Sequence, residues 1–378
     1  SDAPGGIINF ISKTGENESG SVSTTVGLDY DSIRTDFEYG TYLNDSVRYH
    51  IGGFVRQGEG PRETGYTSNK GGQIKANLTK EFDAGYVRVY FKHLDDKSVG
   101  YLPMPMYSDG DSIPGFDAQS DTPHSALFTQ TLRLNGDNQI STGDMTDGMN
   151  PVVTSVGFEA AFDLENDWRI ENRFRTSSVS GNFISLIPAE VASANSIASS
   201  IAGDGASLVY ANGGSAGEAY GDDDLAMRIH TFDVTLNDMG SIVNDLKLTK
   251  SFSDETSVTF GYFASSQSID MSWLWNSYVM ELEGDNAALL DVYAANGDSY
   301  SDNGLYAYGT PYWGNCCQRN YDTEYETRAP YINLATKFGD LSIDASARYD
   351  SGEARGNYAG AVTSTVDMNG DGTISIPE

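Results

Sequence analysis

Apolar and polar residues alternate with a period of two along most of this chain. In the stretch from Ile33 to Thr41, Ile33, Thr35, Phe37 and Tyr39 occupy one set of positions and Arg34, Asp36 and Glu38 the other. Side chains on a strand point alternately to opposite faces, so the pattern predicts a strand with one apolar and one charged face. An Asn44-Asp45-Ser46 turn follows, and then Val47, Tyr49, Ile51 and Val55 alternate with Arg48, His50 and Arg56. The same rhythm predicts eleven strands, near 20–30, 33–43, 46–57, 70–82, 85–95, 152–163, 167–178, 241–252, 256–269, 328–338 and 340–351. In the pair 152–163 and 167–178, Phe158 and Phe174 fall on the apolar side, with Glu159 and Arg173 opposite.

The connections fall into two classes that alternate. Asn44-Asp45, Asp83-Ala84, Leu164-Glu165-Asn166, Ser253-Asp254-Glu255 and Gly339-Asp340 are tight and built of turn formers. The stretches near 58–69, 96–151, 179–240, 270–327 and 352–378 are long; only the link near Asp31 is short on that side. Residues 228–237 also read as a strand, and placing them inside an external loop preserves the alternation. Short turns at one end and long loops at the other are the layout of an outer-membrane barrel. The predicted fold class is therefore all-β, an antiparallel transmembrane β-barrel whose long extracellular loops contain short helices.

Alternation alone fits a soluble sandwich equally well. Two details favour the barrel. The polar faces are densely charged, as a wet lumen tolerates, and aromatics gather near strand ends, at Tyr30, Tyr42, Phe82, Tyr86, Trp168, Phe252, Phe338 and Tyr349. Two loop segments read as helices: Pro188 to Ala202, with proline in the first turn, and Asn286 to Tyr293, following a capping Asp285.

Composition narrows the reading. The 378 residues are only 20% charged yet hold 41 Gly, 23 Tyr and 16 Phe, which suits strands, turns and aromatic girdles. Mean hydropathy is −0.39, and no apolar run approaches the roughly 20 residues of a membrane helix. A net charge of −31 argues against nucleic acid as a partner. Much of the acid sits in loops, at Asp109, Asp111, Asp117 and Asp121 and at Asp222-Asp223-Asp224. Solvated loop surface accounts for it; divalent-cation binding beside lipopolysaccharide is the sharper reading. The chain starts mid-stride at Ser1-Asp2-Ala3-Pro4 and reads as a piece of a longer exported protein, so its missing leader carries no weight.

The opening residues suggest which barrel. Gly5-Gly6-Ile7-Ile8-Asn9-Phe10-Ile11-Ser12-Lys13-Thr14 resembles the last plug segment of TonB-dependent outer-membrane receptors, just before the first barrel strand. Gly71-Gly72-Gln73-Ile74-Lys75-Ala76-Asn77-Leu78 and Asn244-Asp245-Leu246-Lys247-Leu248-Thr249-Lys250 resemble strands of that family. The resemblance implies that 1–15 end a plug domain and 16–378 form the first half of a 22-stranded barrel. It further implies the outer membrane of a Gram-negative bacterium, contact with lipid and lipopolysaccharide, and energy coupling through a TonB-type protein by segments not in this chain. The function implied is active uptake of a scarce, bulky nutrient, either a ferric siderophore or an oligosaccharide. A passive porin and a secreted calcium-dependent β-sandwich adhesin are the rival readings.

Three features carry chemistry. Asp367-Met368-Asn369-Gly370-Asp371-Gly372-Thr373-Ile374-Ser375-Ile376-Pro377-Glu378 matches the twelve-residue calcium loop at every defining position. Its oxygens would come from Asp367, Asn369, Asp371, the Thr373 carbonyl, Ser375 and bidentate Glu378, although no helix precedes it. Aromatics crowd the long loops: Tyr101 and Tyr107, then Trp273 and Trp275, then Tyr312 and Trp313. They suit either local packing or a vestibule that stacks sugar rings or aromatic chelators. Cys316 and Cys317 are adjacent, so they pair with each other or with partners elsewhere. The scattered histidines and serines form no catalytic constellation, so no enzyme activity and no organic cofactor is expected.

Overall fold

The computed structural model describes residues 11–101, 103–134 and 140–360. Its strands in chain order are β1 (Ser19–Val26), β2 (Ser32–Asn44), β3 (Val47–Gly58), β4 (Asn69–Phe82), β5 (Gly85–Lys97), β6 (Gln130–Leu134), β7 (Ile140–Asp144), β8 (Met149–Leu164) and β9 (Trp168–Ser193). After helix α1 (Ala194–Ala202) come β10 (Ser207–Tyr210), β11 (Leu225–Asp238), β12 (Ser241–Ser253), β13 (Thr256–Glu281), β14 (Leu290–Tyr293), β15 (Leu305–Tyr308), β16 (Arg319–Phe338), β17 (Leu341–Arg348) and β18 (Ser351–Gly360).

One antiparallel sheet holds fourteen of these strands, with neighbours following sequence order from β1 through β5, β8 and β9 to β17. The predicted hairpin of 152–163 with 167–178 is present, with Phe158 opposite Phe174 and Glu159 opposite Arg173. Two positions in the sheet are each filled by two strands end to end. β12 lies between the lower parts of β9 and β13, and β11 lies between their upper parts. Residues 228–237 are thus the upper extension of the 241–252 strand, which preserves the alternation of short and long connections. In the same way β17 and β18 both pair with β16.

Several predicted boundaries move. β9, β13 and β16 rise well above the predicted strand ends at 178 and 269 and begin before 328, because loop strands pair with their extensions. The stretch from 352 does not open as a loop, since Ser351–Gly360 continues the sheet. The first strand ends at Val26, not at residue 30.

The two faces separate by chemistry. Cross-strand neighbours build an apolar band in two rows, one of Leu78, Val89, Phe158 and Phe174 and one of Ile170, Leu248, Phe260 and Ile332, with Phe158 and Phe174 stacked at 5.5 Å. Val156, Phe260 and Ile332 are about half exposed, as a lipid-facing side chain is in an isolated chain. On that face the band gives way to Ser266, Ser268 and Asp270 on β13, and to Arg328, Glu326 and Glu324 on β16, at one level. A band of limited height with polar residues above it is the lipid belt of a membrane barrel.

At the turn side, Phe82 packs on Phe162 at 5.7 Å, and the Lys250 ammonium lies 5.9 Å from the rings of both Trp168 and Phe252. These form an interfacial girdle. Tyr42 and Tyr86 do not belong to it: Tyr42 lies under Arg48 and Tyr86 donates to Glu159, both on the charged face. They sit one residue out of phase with the belt, which nearness to a strand end does not reveal.

The opposite face carries Arg34, Asp36, Glu38, Lys75, Lys92, Glu159, Arg173 and Asp245. Tyr331 lies flat across Gly261, where any Cβ would overlap its ring, and donates to Asp245 at 2.8 Å. The end of the opening segment rests on this face. The Asn77 amide donates to the Lys13 carbonyl at 2.9 Å, the Lys13 ammonium meets Glu38, and Arg48 reaches Glu16. Gly15, at φ 76°, lies where a Cβ would overlap the Tyr49 carbonyl, so only glycine fits there.

Above the belt the loops fold into two apolar cores against the strand extensions. On the belt side, Phe116, Phe128 and Met145 from the 98–148 connection pack on Ile184, Ile229 and Met280. On the other side, Ile197 and Ala198 of α1 pack with Leu208, Leu290 and Val292.

Both predicted helices change. Pro188 to Ser193 continues β9, with Pro188 beside a bulge where register shifts, and the helix starts only after Ser193, whose hydroxyl accepts from the Ser196 amide. Residues 286–293 are not helical. Asn286 adopts φ 53°, and Leu290–Tyr293 pairs as β14 with β10, because Leu290 and Val292 bury on one side of a short strand. Tertiary pairing outweighs helix propensity there.

Candidate functional site

The charged face continues upward into an aromatic wall. Counting by twos along β13 from Gly261 and Phe263 leads to Trp273 and Trp275, on the side where Tyr331 and Arg348 lie. Phe232 of β11 pairs with Trp275 and stacks on it at 4.3 Å with 21° between planes. Phe183 meets Phe232 edge-on at 5.5 Å. Towards β18 the row runs from Trp273 to Tyr321 at 6.0 Å and from Tyr321 to Tyr358 at 5.2 Å. Arg319 closes that end: its guanidinium lies 5.9 Å from the Trp273 ring and donates to the Tyr358 hydroxyl at 2.6 Å. A guanidinium held by an aromatic face and a phenol keeps charge available for an anionic ligand.

Loop 309–318 covers the other end. The Gln318 side chain copies a strand ladder, donating to the Trp275 carbonyl at 2.9 Å and accepting its amide at 3.1 Å. Cys316 and Cys317 are joined by a disulfide, and the Thr310 hydroxyl donates to the Cys316 carbonyl at 3.2 Å. The brace holds Trp313 edge-on to His230 at 4.4 Å and to Trp275 at 5.8 Å. Tyr312 stacks with the buried Arg228, whose guanidinium is 4.6 Å from its ring and is held by Glu190, Tyr306 and Ser200.

Of the predicted loop aromatics, Trp273, Trp275 and Trp313 therefore share one cluster, with Tyr312 beside it. Tyr101 and Tyr107 lie apart. Tyr101 donates to the Glu59 carbonyl at 3.1 Å and sits under Arg62, a packing role. Tyr107 lines a separate cavity of about 340 Å³ with Met104, Ile113, Pro188 and Glu190. Sequence reading missed Phe183, Phe232, Tyr321, Tyr358 and Arg319, although their period-two phase with the charged positions below was available. The calcium motif at 367–378 lies outside the described residues, as do residues 1–10 of the opening motif. Among the described residues no cluster of His, Cys, Asp and Glu is arranged to hold a metal.

No protein-family model and no curated protein matches the sequence. Solved structures do match its fold. The closed form of the ferric-catecholate import receptor Fiu from Escherichia coli K12 aligns at a TM-score of 0.57 with 13% identity, over 99% of this chain and 46% of that one. The FpvAI receptor in its complex with pyocin S2 aligns at 0.50 with 13% identity, over 93% of this chain and 38% of that one. The ferripyoverdine receptor of the Pseudomonas aeruginosa outer membrane is similar at a TM-score of 0.48 and 12% identity, over 93% of this chain and 39% of that one. The chain thus spans less than half the length of these structures. Its fold is that of part of an outer-membrane β-barrel, the fold class that the strand pattern predicts.

Proposed function

We propose that this chain is the end of the plug and the first half of the barrel of a TonB-dependent receptor in a Gram-negative outer membrane. Its cargo on this reading is a ferric siderophore, and a TonB-type protein supplies the energy. The observation that carries the proposal is the aromatic wall with Arg319, standing on the lumen-facing side of a sheet whose other side is a lipid belt. A wall of ring faces with a few convergent polar groups suits a bulky, anionic, partly aromatic chelate. The similar structure of Fiu points the same way, since its name describes import of a ferric catecholate.

In an iron-limited strain lacking the gene, the full-length receptor should restore growth on catecholate or pyoverdine-type ferric siderophores. Trp273→Ala should weaken binding of the supported chelate about tenfold, on the order of 1.5 kcal/mol for an aromatic contact with its buried area. Rescue of growth on an oligosaccharide as carbon source, with no effect on iron, would replace the siderophore reading by carbohydrate uptake.

The 367–378 loop is proposed as a calcium site on its sequence alone. Calorimetric titration of the full-length receptor should show millimolar-range binding, about 10⁻⁴ to 10⁻³ M as in extracellular modules, that Asp371→Ala removes. Equal heats from both proteins would leave an acidic turn.

A further inference from the structure

Beneath Trp313 two buried polar atoms have no hydrogen-bond partner, and the chemistry of both is fixed by their surroundings. His230 is fully buried, and its Nδ1 lies 2.8 Å from the Ser277 hydroxyl. That hydroxyl donates to the Gly309 carbonyl at 2.7 Å. A carbonyl only accepts, so the serine proton is committed to it, and the proton between Ser277 and His230 must belong to Nδ1. In the neutral ring Nε2 is then a bare acceptor, and it has no partner. Burial and the nearby Arg228 hold the ring pKa down at about 4, so it is neutral at physiological pH. The second atom is Trp275 Nε1, a donor only, also buried and unpartnered.

Trp313 is the ring that meets both residues edge-on. It is itself 38% exposed and sits in a single 3₁₀ turn, Pro311–Trp313, between Gly309 and Gly314, both at positive φ. Buried polar groups ordinarily find partners, so each exception asks which group or water completes it. A lone acceptor and a lone donor thus lie against one partly exposed, loop-borne ring.

We infer that Trp313 is a displaceable cap, and that His230 and Trp275 position a planar, hydroxyl-bearing ring of the ligand that takes its place. This rests on the uptake reading and adds what the wall selects. A neutral hydroxyl group carries what each atom lacks, a proton for His230 Nε2 and a lone pair for Trp275 Nε1. A carboxylate has no proton for Nε2, and an ammonium has no lone pair for Nε1. Phe232, stacked on Trp275, fixes the indole plane and with it the direction in which Nε1 donates.

The test uses the full-length receptor in detergent and equilibrium dialysis with catechol as probe, with benzoate and glucose as comparators. Trp313→Ala should bind catechol about tenfold more tightly than wild type, because the ligand no longer displaces the cap. Trp313→Phe should stay near wild type. Adding His230→Phe or Trp275→Phe to Trp313→Ala should abolish the gain, and benzoate should show none. Weaker or unchanged catechol binding by Trp313→Ala would make Trp313 a wall residue and overturn the inference. So would a gain that survives His230→Phe, or an equal gain for glucose. Siderophore-dependent growth is scored separately: its absence with the catechol pattern intact would refute uptake alone.

Discussion

Asp233→Ala should detach the 98–148 loop from the sheet, at a local cost of about 3–5 kcal/mol. Asp233 is fully buried on β11, and Arg133 of β6 forks onto it through Nε at 2.6 Å and Nη2 at 2.9 Å. Truncating the acid leaves a guanidinium that is four-fifths buried without a counter-charge, which costs more than the pair itself contributes. The neighbouring contacts depend on the same seating. The Leu132 amide donates to the Tyr278 hydroxyl at 3.3 Å, that hydroxyl lies 3.1 Å from Thr131 Oγ1, and Asn276 donates to the Leu132 carbonyl. Hydrogen exchange on the full-length receptor should show amides of 130–134 and 140–145 exchanging at least a hundredfold faster in Asp233→Ala, while β2 to β4 are unchanged. The paired replacement Arg133→Met with Asp233→Leu should recover much of the protection, since an apolar pair carries no stranded charge. Unchanged exchange in the single variant would show that the apolar core around Phe128 and Met145 holds the loop without the ion pair.

That fork also marks the limit of what the sequence reveals. The membrane-level sheet is legible because each strand repeats a period-two pattern and each tight turn is local: Asn44-Asp45 or Gly339-Asp340 can be read within a few residues. The lipid belt and charged lumen follow from the same phase. Arg133 and Asp233 are a hundred positions apart, and neither carries a local sign of the other. The 286–293 segment reads as a helix for the same reason, since its strand character comes from pairing with Ser207–Tyr210. The aromatic wall lies between these cases. Trp273, Trp275, Tyr312 and Trp313 stand out by composition, but their alignment with Phe183, Phe232 and Tyr321 exists only once the register is fixed. Tyr101 shows the converse, an aromatic conspicuous in sequence whose place in the fold is ordinary packing.

Acid should open the junction between the 59–68 and 98–126 loops, with His124 as the sensor. Its Nε2 lies 3.1 Å from the Gly100 carbonyl, which only accepts, so Nε2 carries the proton. Nδ1 therefore accepts from the Tyr66 hydroxyl at 3.0 Å, and the ring is neutral with both nitrogens used. Burial lowers its pKa from 6.5 to about 4, against a smaller opposing contribution from the Gly100 bond. The folded pKa is depressed, so between those values the opened loop binds a proton that the closed loop refuses. Closed-loop stability is then complete above about pH 6.5 and falls as pH drops towards 4, by about 3 kcal/mol over the window. Hydrogen exchange of the full-length receptor, corrected for intrinsic rates, should show protection in both loops falling from pH 7 to pH 4.5. His124→Gln can donate to Gly100 and accept from Tyr66 without titrating, so its protection should stay nearly flat. An acid profile in His124→Gln matching wild type would assign the opening to other groups.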